Sequence, residues 1–158
     1  MGLRIGFGYD IHPLEKGRRL ILGGVEISFH LGLQGHSDAD VLIHAIIDSL
    51  LGASALGDIG TLFPDTDEAY RGISSLKLLE KVLYLLRDNR FKIVNIDSTL
   101  VVDRPKIAPY VEKMRRRLSD MLWIPADCIS IKAKTSEGLG PVGEGRAIEA
   151  YAVAYIKK

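Results

Sequence analysis

The chain opens on a strict alternation, with Leu3, Ile5, Phe7, Tyr9 and Ile11 apolar and Arg4, Gly6, Gly8, Asp10 and His12 between them. A period of two predicts a β-strand and puts Asp10 and His12 on one face, beside glycines that leave room for another group. Segments 18–22 and 25–29, separated by Gly23 and Gly24, read as a hairpin. The pattern then changes. Residues 41–51 are apolar at nearly every position, which predicts a helix buried on most sides, with Ser37 as its N-cap and the acidic Asp40 three positions on. The main polar exceptions in that helix, His44 and Asp48, are spaced i,i+4 and share a face, where a carboxylate can orient an imidazole.

Segment 52–67 is rich in glycine and aspartate and reads as a long polar loop. Ser74 or Ser75 caps an amphipathic helix through about residue 87, and 91–102 is a long strand. Pro105 and Pro109 open a third helix to about residue 122, with Lys113, Arg115, Arg116 and Arg117 as a solvated basic face and Trp123 as a packing residue at its end. Residues 129–134 form a short strand, 135–145 a glycine-rich loop, and 147–156 a final strand with small or apolar residues on both faces. A strand apolar on both faces must be covered on both. The helices suffice for one side of a sheet, so the other side is expected to pack against copies of the chain. The expected fold is α/β, a mixed four-stranded sheet plus an N-terminal hairpin.

At 158 residues the chain is expected to be a single domain, 1–158. Its 21 lysines and arginines nearly balance 20 aspartates and glutamates, which argues against nucleic acid as a partner. The lone Cys128 has no internal disulfide partner and reads as a small buried thiol. No N-terminal stretch has signal-peptide or membrane-spanning form, so a cytoplasmic protein is expected.

Asp10, His12 and His44 together have the residue types of a zinc site. Each alone has a plainer reading: Asp10 and His12 as a strand-end salt pair, His44 as a hydrogen-bonded core histidine, and Asp65 and Asp67 as turn formers beside Pro64. What separates these readings is a resemblance carried by five motifs in order: Arg4-Ile-Gly-Phe-Gly-Tyr-Asp-Ile-His12, Gly35-His-Ser-Asp-Ala-Asp40, Leu56-Gly-Asp-Ile-Gly60, Phe63-Pro-Asp-Thr-Asp67 and Lys132-Ala-Lys-Thr-Ser-Glu137. On these, and from end to end, the chain resembles the 2-C-methyl-D-erythritol 2,4-cyclodiphosphate synthases of the non-mevalonate isoprenoid pathway.

The resemblance implies a homotrimer with active sites between neighbours. It implies zinc on Asp10, His12 and His44, and a second divalent ion, Mg²⁺ or Mn²⁺, on Glu137. It makes His36 and Thr135 the residues that orient the reacting phosphates, with Ser37 beside them. Asp58, Ile59 and Gly60 join Phe63, Asp65 and Asp67 around the methylerythritol and ribose hydroxyls. Val102, Pro105, Lys106 and Ala108 belong to a turn that reads cytosine through its backbone, and Lys134 and Ser136 complete the contacts. Asp48 is expected to support a site residue from behind.

The implied reaction forms the cyclic diphosphate and CMP, a phosphorus–oxygen lyase step. A zinc phosphohydrolase and a non-catalytic zinc- or cytidine-nucleotide-binding module remain alternatives. One departure stands out: Val142 occupies a place where family members often carry Arg. In an extended segment this leaves Glu144 without a cationic neighbour, sets Arg146 further along the same face, and lets Phe7 and Val142 line an apolar wall.

Overall fold

The computed structural model describes residues 2–158. β1 (Leu3–Lys16), β7 (Ala147–Lys157), β5 (Lys92–Val101) and β6 (Ile129–Lys134) form the expected mixed sheet. β1 and β5 run antiparallel to β7, and β6 runs parallel to β5. A short strand, β4 (Leu31–Leu33), pairs with the end of β1 and makes the sheet five-stranded, in the order β4-β1-β7-β5-β6. β2 (Leu20–Leu22) and β3 (Val25–Ile27) form the separate hairpin.

α1 (Val41–Ser54) lies across β1 and β7, with every residue buried except Asp48 and Gly52. What lets it lie so close is a stripe of small residues. Gly6 is opposite Ala154, Gly8 opposite Ala152 and Asp10 opposite Ala150, all on the helix side of the sheet. A Cβ on Gly8 would stand 1.9 Å from the Ala45 carbonyl oxygen, and one on Gly6 1.9 Å from that of Ser49. The large apolar members of β1 are therefore turned to the other face. Leu3, Ile5 and Phe7 are 58, 72 and 63 % exposed in the single chain.

α3 (Ser75–Asp88) packs against α1, and α4 (Val111–Leu122) against β6. Several expectations change here. The N-cap of α1 is Asp40 rather than Ser37, because its buried carboxylate accepts from the Ile43 N–H at 3.1 Å and also from Gly23 and Gly24 of the hairpin at 2.9 and 2.7 Å. Arg115 is not part of a free basic face. Its guanidinium donates to the Ile129 and Ala126 carbonyls at 2.9 and 2.6 Å and so ties α4 to β6. Trp123 is not a packing residue: it takes the left-handed position that ends α4, beyond the buried stripe of Met114, Leu118 and Leu122, and is 73 % exposed. Cys128 is half-buried, in a tight turn before β6.

The loop at 52–67 contains a helical turn, α2 (Ile59–Leu62), and the loop at 135–145 contains another, α5 (Gly140–Gly143). The latter overturns the extended reading of 142–146. Val142 is buried inside α5, so it lines no outer wall, and Arg146 donates to Glu144 at 2.7 Å, so Glu144 has its cationic neighbour.

Candidate metal centre and cleft

Strand parity puts Asp10 and His12 on the side facing α1, and the helix sets His44 over them. His12 Nε2 is 2.8 Å from Asp10 Oδ2, His44 Nδ1 is 3.0 Å from the same oxygen, and the two ring nitrogens are 3.1 Å apart. Among the described residues this is the one group of His, Cys, Asp and Glu side chains converging as a metal site would.

The hydrogen bonds on the far side of each ring fix which nitrogen faces the centre. His12 Nδ1 lies 2.7 Å from the Gln34 carbonyl, which only accepts, so Nδ1 carries a proton and, in the neutral ring, Nε2 is the nitrogen free to ligate. His44 Nε2 lies 2.9 Å from Ser75 Oγ, and that hydroxyl makes a short bond to the Asp38 carboxylate. Asp38 also only accepts. Ser75 must therefore donate to Asp38 and accept from His44, which leaves His44 Nδ1 bare. Ser37 Oγ, 3.2 Å from His44 Nε2, completes the pocket behind the ring.

Two imidazole nitrogens and a carboxylate oxygen, crowded together and partly out of water, need a proton or a metal cation among them, and the set suits Zn²⁺ with one position open. Without a metal, a proton on His12 can serve the same purpose. Burial alone would raise the Asp10 pKa, but its contacts with His12 and His44 hold the carboxyl below its ordinary range. Burial would lower that of His12, yet Asp10 draws it upward.

The centre opens into a cleft of about 540 Å³ that also takes in His36, Ser37, Ile59, Gly60, Phe63 and Asp65. Arg18 shapes one wall, donating to the carbonyls of Gly35 and Ser37 at 2.9 and 2.6 Å. His36 Nε2 meets the Asp67 carbonyl at 2.9 Å. Asp58 and Asp67 do not line the cleft but cap the turns beside it: Asp58 accepts from the Thr61 N–H at 2.7 Å, and Asp67 from the Ala69 N–H at 2.9 Å. Asp48 does not reach His44 by a hydrogen bond. Its carboxylate accepts from the Ile59 N–H at 2.8 Å and so braces the α2 turn instead.

The second group of expected contacts does not line this cleft. Val102, Pro105, Lys106 and Ala108 follow β5, and Lys134, Thr135, Ser136 and Glu137 close or follow β6. Sheet register nevertheless brings both groups to one end: His12 is opposite Ile148, Glu149 opposite Val101, and Val101 opposite Lys134. At about 4.8 Å per strand, the loops leave roughly 10 and 15 Å from β1. Val102 is buried and its N–H bonds the Lys134 carbonyl at 2.8 Å, while Thr135 and Glu137 are exposed.

Ser75, Asp38, Arg18 and Gln34 were not legible as site residues. The one signal was a pair of serines opening α3 where a cap needs one: Ser74 holds the cap position without a capping bond, and Ser75 turns inward.

Comparison with known proteins agrees with this geometry. The YgbB family model matches residues 3–157. A 2-C-methyl-D-erythritol 2,4-cyclodiphosphate synthase of Clostridium acetobutylicum is 55 % identical over 98 % of this chain and 99 % of its own, and one from Chloroherpeton thalassium is 56 % identical over 99 % of each. A solved synthase in its CDP-bound form superposes with a TM-score of 0.90 at 41 % identity, covering 98 % of this chain and 100 % of the other. The CDP complex of the Plasmodium falciparum protein gives 0.85 at 37 % identity, over 98 and 96 %. With a family model spanning nearly the whole length, and relatives sharing more than half their residues, the chain belongs to the YgbB family, that of the 2-C-methyl-D-erythritol 2,4-cyclodiphosphate synthases.

Proposed function

We propose that the chain closes 4-diphosphocytidyl-2-C-methyl-D-erythritol 2-phosphate on itself, giving 2-C-methyl-D-erythritol 2,4-cyclodiphosphate and CMP, as a cytoplasmic homotrimeric lyase. The observation that carries this reading is the triangle of Asp10, His12 and His44 opening into the cleft that His36 and Ser37 enter. An oxygen of the 2-phosphate bonds to the β-phosphorus, the bond from that phosphorus to the bridging oxygen breaks, and CMP leaves with the electron pair. A phosphate monoester is largely dianionic near neutral pH, with a second pKa of about 6, so the nucleophile needs no strong base. Placement and charge neutralisation are the tasks left to the protein.

When bound, Zn²⁺ at the triangle and Mg²⁺ or Mn²⁺ at Glu137 supply positive charge to the phosphate oxygens. The side chains do the remainder. Gln34 orients His12, Ser75 with Asp38 orients His44, and the Asp10 carboxylate lies between the two rings. His36 and Ser37 face the phosphates at one wall, and the Asp48-braced turn of Ile59 and Gly60 offers backbone groups to the sugar hydroxyls at the other. Thr135, whose hydroxyl donates to Glu137 at 2.7 Å, stands ready to turn toward a phosphate. The turn from Val102 to Ala108 seats cytosine.

A trimer whose sites lie between subunits is supported by the exposed apolar face of β1 and by the separation of Thr135 and Glu137 from the zinc-type cleft. Such a patch on a single chain marks a face that packs elsewhere.

Incubating the protein with zinc, magnesium and the cytidylyl phosphate in ¹⁸O-water tests the reading by phosphorus NMR. The expected products are CMP and a cyclic diphosphate free of the label. Labelled phosphate without a cyclic product would make the chain a hydrolase, and retained nucleotide without turnover would make it a binding module.

A further inference from the structure

We infer that Asp103 is a positioning residue whose carboxylate, set in the turn after β5, holds the loop after β6 in the backbone shape that presents Glu137 to a divalent cation. The inference rests on the reading of Glu137 given above and adds the residue that makes it work. One oxygen of Asp103 accepts from the Ser136 N–H at 2.7 Å and from the Ser136 hydroxyl at 2.9 Å, and the other accepts from the Gly138 N–H at 3.2 Å. These donors are the immediate neighbours of Glu137 on either side, so the carboxylate clasps the loop around that one residue.

The clasp has something to hold. Glu137 has φ +56°, a left-handed conformation that a residue with a Cβ disfavours, and Gly138 continues it at φ +76°. Released from Asp103, the peptide at 137 relaxes toward the ordinary right-handed or extended regions, and the Glu137 side chain swings with it. The carboxyl of Asp103 sits below its ordinary range, chiefly because of the Ser136 N–H, so the clasp is charged at neutral pH.

Asp103 also stands within the segment expected to seat cytosine, next to Val102, whose N–H bonds the Lys134 carbonyl. Base seating and cation placement are therefore mechanically joined through one side chain.

The test measures Mn²⁺ binding to the zinc-loaded protein in the presence of CDP, by electron paramagnetic resonance, for the unaltered chain and for Asp103→Ala, Asp103→Asn and Glu137→Ala. Supporting groups around a metal ligand are worth about 10- to 100-fold in affinity. Asp103→Ala is expected to weaken Mn²⁺ about tenfold, with zinc content unchanged and faster hydrogen exchange at the Ser136 and Gly138 amides. Asp103→Asn keeps one acceptor oxygen and is expected to lose less. Unchanged Mn²⁺ affinity in Asp103→Ala, with affinity lost in Glu137→Ala, would overturn the role of Asp103 alone. Unchanged affinity in Glu137→Ala would overturn the reading of Glu137 and the inference with it.

Discussion

His44 stands in a helix buried at all but two positions, and its inner nitrogen, turned away from the cleft, is backed by Ser75 and Asp38, whereas Glu137 stands exposed in a loop and is held in shape by one carboxylate on a neighbouring turn. Both residues are expected to serve a cation, yet the chain invests them differently. The first group converges within one chain. The second stands at the surface of the single chain, beside a separate cavity lined by Asp103, Arg104 and Gly138. The bonds behind His44 are buried or partly buried, whereas those that clasp the loop at Glu137 are partly buried or exposed.

Removing a ligand gives the sharpest contrast. His44→Ala is expected to abolish stoichiometric zinc and turnover together, measured by metal analysis and CMP release, while Glu137→Ala retains full zinc and loses turnover. Mixing decides whether the two halves come from different subunits. His12→Ala and Glu137→Ala chains, each inactive alone, are expected to recover activity when co-assembled, with mixed trimers verified by mass. Gly8→Ala attacks the first half through the fold: its Cβ would stand 1.9 Å from the Ala45 carbonyl oxygen, so α1 must retreat, at a cost of about 3 kcal/mol or more in denaturant unfolding and with loss of zinc. Ser75→Ala leaves the ligands in place but removes the nearer acceptor at His44 Nε2, leaving the Ser37 hydroxyl at 3.2 Å. Zinc affinity, measured by chelator competition, is expected to fall about tenfold.

The smallest effect concerns Asp40, whose carboxyl is pushed up to about 6 by complete burial and then by Asp38. A folded-state pKa above the ordinary 3.8 means that the folded chain binds the proton more tightly. This contribution is fully present below about pH 4, is lost as pH rises through 6, and amounts to roughly 1 kcal/mol between pH 5 and 7. A carbon NMR titration of the aspartate side chains checks it: Asp40 should titrate near 6, which no surface aspartate should do.

Much of this was legible because it depends on period and spacing alone. The alternation in β1 set Asp10 and His12 on one face, and the apolar run at 41–51 required a buried helix. What failed were choices between local and distant partners. Ser37 and Asp40 both had the chemistry of an N-cap, and Asp40 won because the hairpin glycines, far off in sequence, also bond its carboxylate. Asp48 shares the right helix face to reach His44, but the Ile59 N–H reached it instead. Val142 turned inward because the 140–143 segment coils into a helical turn that strand periodicity did not anticipate. The orientation of β1 was the subtlest case. Its apolar residues look like the core side, yet the glycines mark the face pressed against α1.

That same glycine face makes the metal centre a gauge of correct folding. Gly6, Gly8, Asp10 and His12 share one parity, so a slip of β1 by one residue against β7 would drive Phe7 and Tyr9 into α1 and carry both ligands to the opposite side. If the triangle holds zinc as proposed, no misthreaded chain could capture it tightly, and a refolding mixture passed over an immobilised chelator of intermediate strength would sort itself, correctly threaded molecules keeping the ion and the others surrendering it.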